Sequence, residues 1–268
     1  MNELGCSTIT FRNRTLSDAL GEITGLGFTG VDLGGLPGVC DHVPYPPDVD
    51  RIVDAVLEAG VHAWAVNVDP GPLNDPGLAE DVLAHRITEL AELAARLGAA
   101  LIVPCGAGAR APFTDEQHDL ALLARRLRLA SATAAEQGVR LLVEGLHHHR
   151  FCHSAERLRR LLELVPAEVA GLVYDVSHVV AGGIDEVALA RELGERVAHV
   201  HLRDAAPGDI NRSIGHGRVD FAGVIGALTE RGYTGRYVLE LETHDVSEED
   251  RPAAAGRARD AIAALLPA

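Results

Sequence analysis

Short apolar runs with period-two alternation are interleaved, about eight times, with longer segments of helical period, the order expected of a parallel α/β protein. The strand candidates are "LGCSTIT" (4–10), "GVDL" (30–33), "HAWAVNV" (62–68), "ALIVPCG" (100–106), "VRLLVEG" (139–145), "AGLVYDV" (170–176), "VAHVHLR" (197–203) and "RYVLELE" (236–242). Helices are predicted over 81–98, over 119–138 with Gly138 as C-cap, over 221–232, and along the Ala-rich tail from Pro252. No Ser/Gly linker or change of composition divides the chain, so residues 1–268 are read as a single domain. Eight strand–helix units favour a closed (β/α)8 barrel, and no GxGxxG follows the first strand to suggest a dinucleotide fold. The longest connection, "GGLPGVCDHVPYPPD" (34–48), is expected to be a long βα loop on the active face.

The last strand ends in acid. Tyr237, Leu239 and Leu241 occupy one face, and Glu240 and Glu242 the other. A buried carboxylate without a partner is costly, so an inward pair asks for a proton, a cation or a substrate. Similar residues close the three preceding strands: Glu144, Asp175 and His201. With Glu240 they form an oxygen-rich set with one nitrogen, suited to Mn²⁺, Mg²⁺, Co²⁺ or Fe²⁺ better than to a closed structural zinc site. One acid at a strand end more often caps the following helix; four ligand-type residues at four successive strand ends outweigh that reading. His199, one layer deeper, reads as a hydrogen-bonded core histidine, and Asp185 and Asp204 as loop or capping residues. His147, His148 and His149 are read either as a metal tract or as solvated or substrate-facing, with His148 taken as the substrate contact.

Composition narrows the chemistry. The net charge of −15 disfavours nucleic acid or an anionic membrane as partner. No apolar run approaches the roughly 18 residues of a membrane span, and no leader pattern opens the sequence, so a cytoplasmic location is expected. Four cysteines without a CxxC pair suggest neither a zinc ribbon nor a disulfide framework. All 24 basic residues are arginine, which removes Schiff-base chemistry and the Walker lysine and leaves acid–base work to Asp, Glu, His, Tyr or Cys.

The segments "VEGLHHHRFCHSAERLRRLLE", "GLVYDVSH", "HVHLRD" and "IGHGRVDFAGVIGALTERGYTGRYVLELE", in that order, resemble the successive motifs of the xylose isomerase-like TIM barrels, the sugar phosphate isomerase/epimerase and AP endonuclease family 2 superfamily. "GCSTITFRNRTLSDALGEITGLGFTGVDL" is similar to the first βαβ unit of that family. The resemblance implies one divalent ion, manganese first and magnesium, cobalt, iron or zinc as alternatives. Glu144, Asp175, His201 and Glu240 would hold it, Glu240 being preferred to Glu242 because it falls five residues after Gly235. It also implies that Glu144 and Glu240 form the acid–base pair, that His178 and Arg212 contact the substrate, and that the barrel forms a homodimer or homotetramer.

The implied activity is isomerisation or epimerisation of a sugar or cyclic polyol by proton transfer through a metal-stabilised enediolate. The alternative is a lyase of the same site type, inosose dehydratase-like or cleaving a 3-keto-C-glycoside. An endonuclease IV-like reading needs three metals, for which Thr8, Asp32, Asn67 and Cys105 on the first four strands offer too few ligands. A non-catalytic barrel is the third reading. The sequence departs from the family pattern at Asp32, where many members carry Glu, in the long first loop, and in the Gly-Leu-His-His-His that follows Glu144.

Overall fold

In the computed structural model, which describes residues 3–267, eight parallel strands close on one another. They are β1 (Leu4–Ser7), β2 (Gly30–Leu36), β3 (His62–Val68), β4 (Ala100–Pro104), β5 (Leu141–Glu144), β6 (Gly171–Asp175), β7 (Val197–Leu202) and β8 (Tyr237–Leu239). Consecutive strands pair. β1 also takes β8 on its other edge, with Cys6 opposite both Leu239 and Val31, so the barrel leaves no edge unpaired. Around it run α1 (Leu16–Gly25), α2 (Val49–Ala59), α3 (Glu80–Leu97), α4 (Glu116–Ala135), α5 (Ala155–Leu164), α6 (Val176–Ala181), α7 (Glu186–Leu193), α8 (Phe221–Glu230) and α9 (Arg251–Ala263).

The helices start where side-chain oxygens meet free N–H groups. Thr15, Asp48, Asp115, Ser154, Asp185 and Asp220 accept from the backbone three residues on, at the heads of α1, α2, α4, α5, α7 and α8. Asp185 is thus the capping residue expected. α4 ends three residues short of the predicted stop; Gly138, at φ 72°, closes the turn that follows it.

The predicted strands differ from the observed ones mainly at their ends. "LGCSTIT" is strand only to Ser7, whose hydroxyl accepts from Ile9 N and turns the chain into a 3₁₀ helix over Thr8–Phe11. Those threonines then tie neighbouring strands together: Thr8 Oγ1 accepts from Gly34 N, and Thr10 Oγ1 from Leu241 N. The connection over 34–48 is a loop only in part. β2 continues to Leu36 and turns back through an antiparallel pairing with Cys40–Asp41.

Two apolar layers result. The large core lies between strands and helices, and a small one inside the barrel is made by Ala65, Ile102, Leu142 and Val173. That inner plug lies below the polar strand ends, so the carboxylates above it face away from bulk water.

Candidate metal centre

Glu144, Asp175, His201 and Glu240 converge at the C-terminal ends of β5 to β8, each offering a ligand atom within 4.8 Å of the others. All four are buried. Glu240 lies just past β8, where its N–H still donates to Leu202 O at 3.1 Å and keeps the inward alternation going. Its Oε1 accepts from Asn67 Nδ2 at 3.2 Å and lies 3.6 Å from His201 Nδ1. Glu242, on the same face but one step outward, pairs instead with Arg203 at 3.3 Å. Asp175 divides its oxygens: Oδ1 caps α6 through Ser177 N (2.8 Å) and Ser177 Oγ (2.6 Å), while Oδ2 stays on the cavity side, 3.5 Å from His178 Nε2. Asp175 therefore caps the helix with one oxygen and keeps the other on the cavity side.

Below this cluster Asp32 Oδ2 accepts from His199 Nε2 at 2.7 Å and from His201 Nε2 at 3.0 Å. The second bond fixes the ring of His201 with Nδ1 toward the carboxylates. Burial would raise the Asp32 carboxyl, but the two imidazoles outweigh it and hold it well below the usual range. His199 is, as expected, a hydrogen-bonded core histidine.

The fit of a cation is tested by what these groups lack. Buried His201 Nδ1 has no hydrogen-bond partner among the described residues. Burial, with the charge of Glu144 behind it, pushes Glu240 up to about 7 against the pull of His201. Burial opposes a proton on His201, yet the charge of Glu240, the bond to Asp32 and the nearness of Glu144 (3.9 Å from Nδ1) raise it well above an ordinary imidazole. Three carboxylates around one lone pair are short of positive charge, and a divalent ion with oxygen and imidazole ligands supplies it.

The cavity above the cluster holds about 230 Å³. Leu36, Pro37 and Val39, from the turn after β2, form an apolar rim, and Asp69 and Arg150 pair at 2.8 Å in its wall. His178 lines it beside the ring of His147, with ring centroids 3.7 Å apart. Burial, then the charge of Arg203, holds His178 well below its ordinary value, so the ring is neutral. Its Nδ1 accepts from His148 N at 3.3 Å, which places the proton on Nε2, 3.7 Å from Glu144 Oε1 and 3.5 Å from Asp175 Oδ2. His178 is thereby a hydrogen-bond donor into the cavity, and in the grouping of Glu144, His147 and His178 its Nε2 brings a proton where an ion would need a lone pair.

Two of the residues expected to contact substrate do not line this cavity. Arg212 does not line the cavity; it lies on the outer strand (Asp209–Arg212) of a hairpin after β7, half exposed and bonded to Asp209 at 2.9 Å. Ile210 and Asn211 of the same strand line the cavity instead. His148 is also turned away: Arg110 donates to its carbonyl at 2.7 Å and packs its guanidinium on the ring, while His147 and His149 line the cavity. Sequence reasoning missed Arg203, which is buried beside Asp175 and bonded to Ser177, Asn211 and Glu242. The signal was present: Arg203 is two residues after His201, on the same inward face. Asp204 has the loop role expected, accepting from the backbone of Gly215, Gly217 and Val219.

A parallel barrel with a buried cluster of three carboxylates and one imidazole at the C-terminal mouth points to the class. The family described as Xylose isomerase-like TIM barrel matches residues 21–265, and the chain belongs to it. Among curated relatives, an inosose dehydratase of Geobacillus thermodenitrificans (strain NG80-2) is 26% identical over 286 aligned positions, covering 90% of this chain and 89% of that protein. Among solved structures, an L-ribulose 3-epimerase has a TM-score of 0.79 at 18% identity, covering 99% of this chain and 95% of the other. The IOLI protein with a bound zinc atom has a TM-score of 0.78 at 16% identity, covering 99% and 100%. The chain is an enzyme. Among the described residues no helix is long and apolar enough to cross a membrane.

Proposed function

We propose that this enzyme removes a proton from carbon next to a carbonyl on a small keto-polyol or ketose, and that loss of water from the neighbouring carbon follows. The observation that carries the proposal is the meeting of Glu144 and Glu240 around the unpartnered His201 Nδ1. The ion held by Glu144, Asp175, His201 and Glu240, manganese in our reading, would polarise the carbonyl and stabilise the negative charge that develops on its oxygen. One of Glu144 and Glu240 takes the proton. The other, protonated, gives its proton to the departing hydroxyl, so that the α-hydrogen and the β-hydroxyl leave the carbon skeleton as one proton and one water. His178 Nε2–H donates to a substrate oxygen, and the apolar rim of Leu36, Pro37 and Val39 keeps bulk water from the reacting face. A cavity of about 230 Å³ suits one monocyclic or open-chain six-carbon molecule.

The dehydratases among the sequence relatives support elimination over epimerisation. Epimerisation, the second reading, uses the same first step and returns the proton to the opposite face; the backbone likeness to an epimerase accords with it. Proton NMR of inososes and ketoses in D₂O with manganese-loaded enzyme separates the two. Elimination yields a dehydrated product, epimerisation an inverted carbon carrying deuterium. Neither turnover nor exchange with any of these substrates would overturn the proposal.

A further inference from the structure

At the opposite mouth of the barrel, where Ala100 opens β4, Arg140 precedes β5 and Arg236 precedes β8, lies a second cavity of about 300 Å³. One wall is Trp64, whose ring crosses β1 and β2 so closely that a Cβ on Gly5 or Gly30 would come within 2.4 or 1.9 Å of it. The Arg236 guanidinium lies over this ring at 4.7 Å from its centroid. His199 also lines the cavity, and only 4% of it is exposed. Its Nε2 is taken by Asp32, and its Nδ1 has no protein hydrogen-bond partner among the described residues. In a neutral ring bonded in this way Nδ1 is an acceptor, waiting for a donor from the cavity.

The charge of the lining is unusual for this chain. Arg140 and Arg236 face one acid, Glu3, 3.6 Å from Arg236 Nε, in a protein of net charge −15. Arg140 makes no ion pair and no side-chain hydrogen bond among the described residues. The cavity therefore offers two guanidinium groups, an aromatic wall and one buried acceptor.

We propose that this cavity is a binding site for a small anion that also carries a hydroxyl. Arg140 and Arg236 hold its charge, and its O–H donates to His199 Nδ1. Inorganic phosphate and short hydroxy acids share this chemistry; sulfate has the charge but no hydroxyl at neutral pH. An occupant would sit three hydrogen bonds, through His199 and Asp32, from His201.

The test is calorimetric titration of the metal-loaded enzyme with inorganic phosphate at neutral pH, alongside ¹⁵N NMR of the histidine rings. Saturable binding that shifts the His199 Nδ1 resonance is expected, with sulfate roughly tenfold weaker or more for want of the hydroxyl bond. Arg140→Gln combined with Arg236→Gln should lose a similar factor while metal content and turnover stay unchanged. A hydroxy acid such as glycolate shifting the same resonance would extend the site to that source. No saturable binding below about 10 mM would overturn the proposal. So would binding that ignores the arginine substitutions, which would place the anion on the metal, or sulfate binding as tightly as phosphate.

Discussion

Asp32 Oδ2 serves two imidazoles at once, and this gives His201 more than orientation. A carboxylate that accepts from Nε2–H increases the basicity of the opposite nitrogen, the one turned toward Glu144 and Glu240. In Asp32→Asn the shape is kept and the charge is lost. We expect metal affinity to fall by about 10- to 100-fold, with the far-ultraviolet spectrum unchanged. A competition titration against a chelator measures this, and an unchanged affinity would show that Asp32 is only filling space. The two glutamates of the last strand should separate cleanly. Glu240→Gln is expected to abolish turnover and weaken the metal while the fold survives, whereas Glu242→Gln should retain the ion, because Glu242 pairs with Arg203 and lies outside the four-ligand cluster. Equal metal loss in both variants would place the site one step further out along the chain.

Along an element the period of two carries most of the information. β7 shows how far it reaches: His199, His201 and Arg203 all face inward, the first to Asp32, the second to the carboxylates and the third between Asp175 and Glu242. Burying the Arg203 guanidinium is sustained by those two acids. Arg203→Met should therefore destabilise the metal-free protein by roughly 3 kcal/mol or more, and a second change, Glu242→Gln, should recover part of the loss. Urea unfolding of the three variants checks both statements; no recovery would mean that Arg203 matters through packing alone. The same periodicity made the barrel and the cluster of Glu144, Asp175, His201 and Glu240 legible in the sequence, since each of those residues continues a strand of known parity. It was silent where the chain leaves the barrel. Arg212 was assigned by motif position, but it lies on an irregular hairpin outside the barrel, whose Ile210 and Asn211 line the cavity instead. His148 belongs to a run of three histidines with no strand to fix which of them faces the cavity; Arg110, far away in sequence, decides it. Contacts of that kind are set by tertiary packing, which local pattern does not encode.

For the whole molecule, the proposed site would couple folding, protons and metal. Without the ion, burial and the charge of Glu144 hold the Glu240 pKa up at about 7, so the folded chain binds a proton more tightly than the unfolded chain does. Stability from this group is complete below the ordinary carboxylate value near 4.5 and is lost as pH rises through about 7, amounting to roughly 3 kcal/mol. His201, raised well above an ordinary imidazole, acts in the same direction at higher pH. Asp32, held low by its two imidazoles, acts in the opposite direction and matters only in acid. The metal-free protein should accordingly be less stable at about pH 8 than at about pH 5. A divalent ion reverses this order. It displaces the proton from Glu240 and, at higher pH, from His201, so its apparent affinity should rise about tenfold per pH unit for each proton released, the Glu240 part levelling off above about 7. Binding then adds stability where the empty site loses it. Urea midpoints at the two pH values, with metal and with chelator, test the linkage directly. Parallel pH profiles in the two conditions would mean that the ion and the Glu240 proton do not compete, and that the cation is held elsewhere than among these four residues.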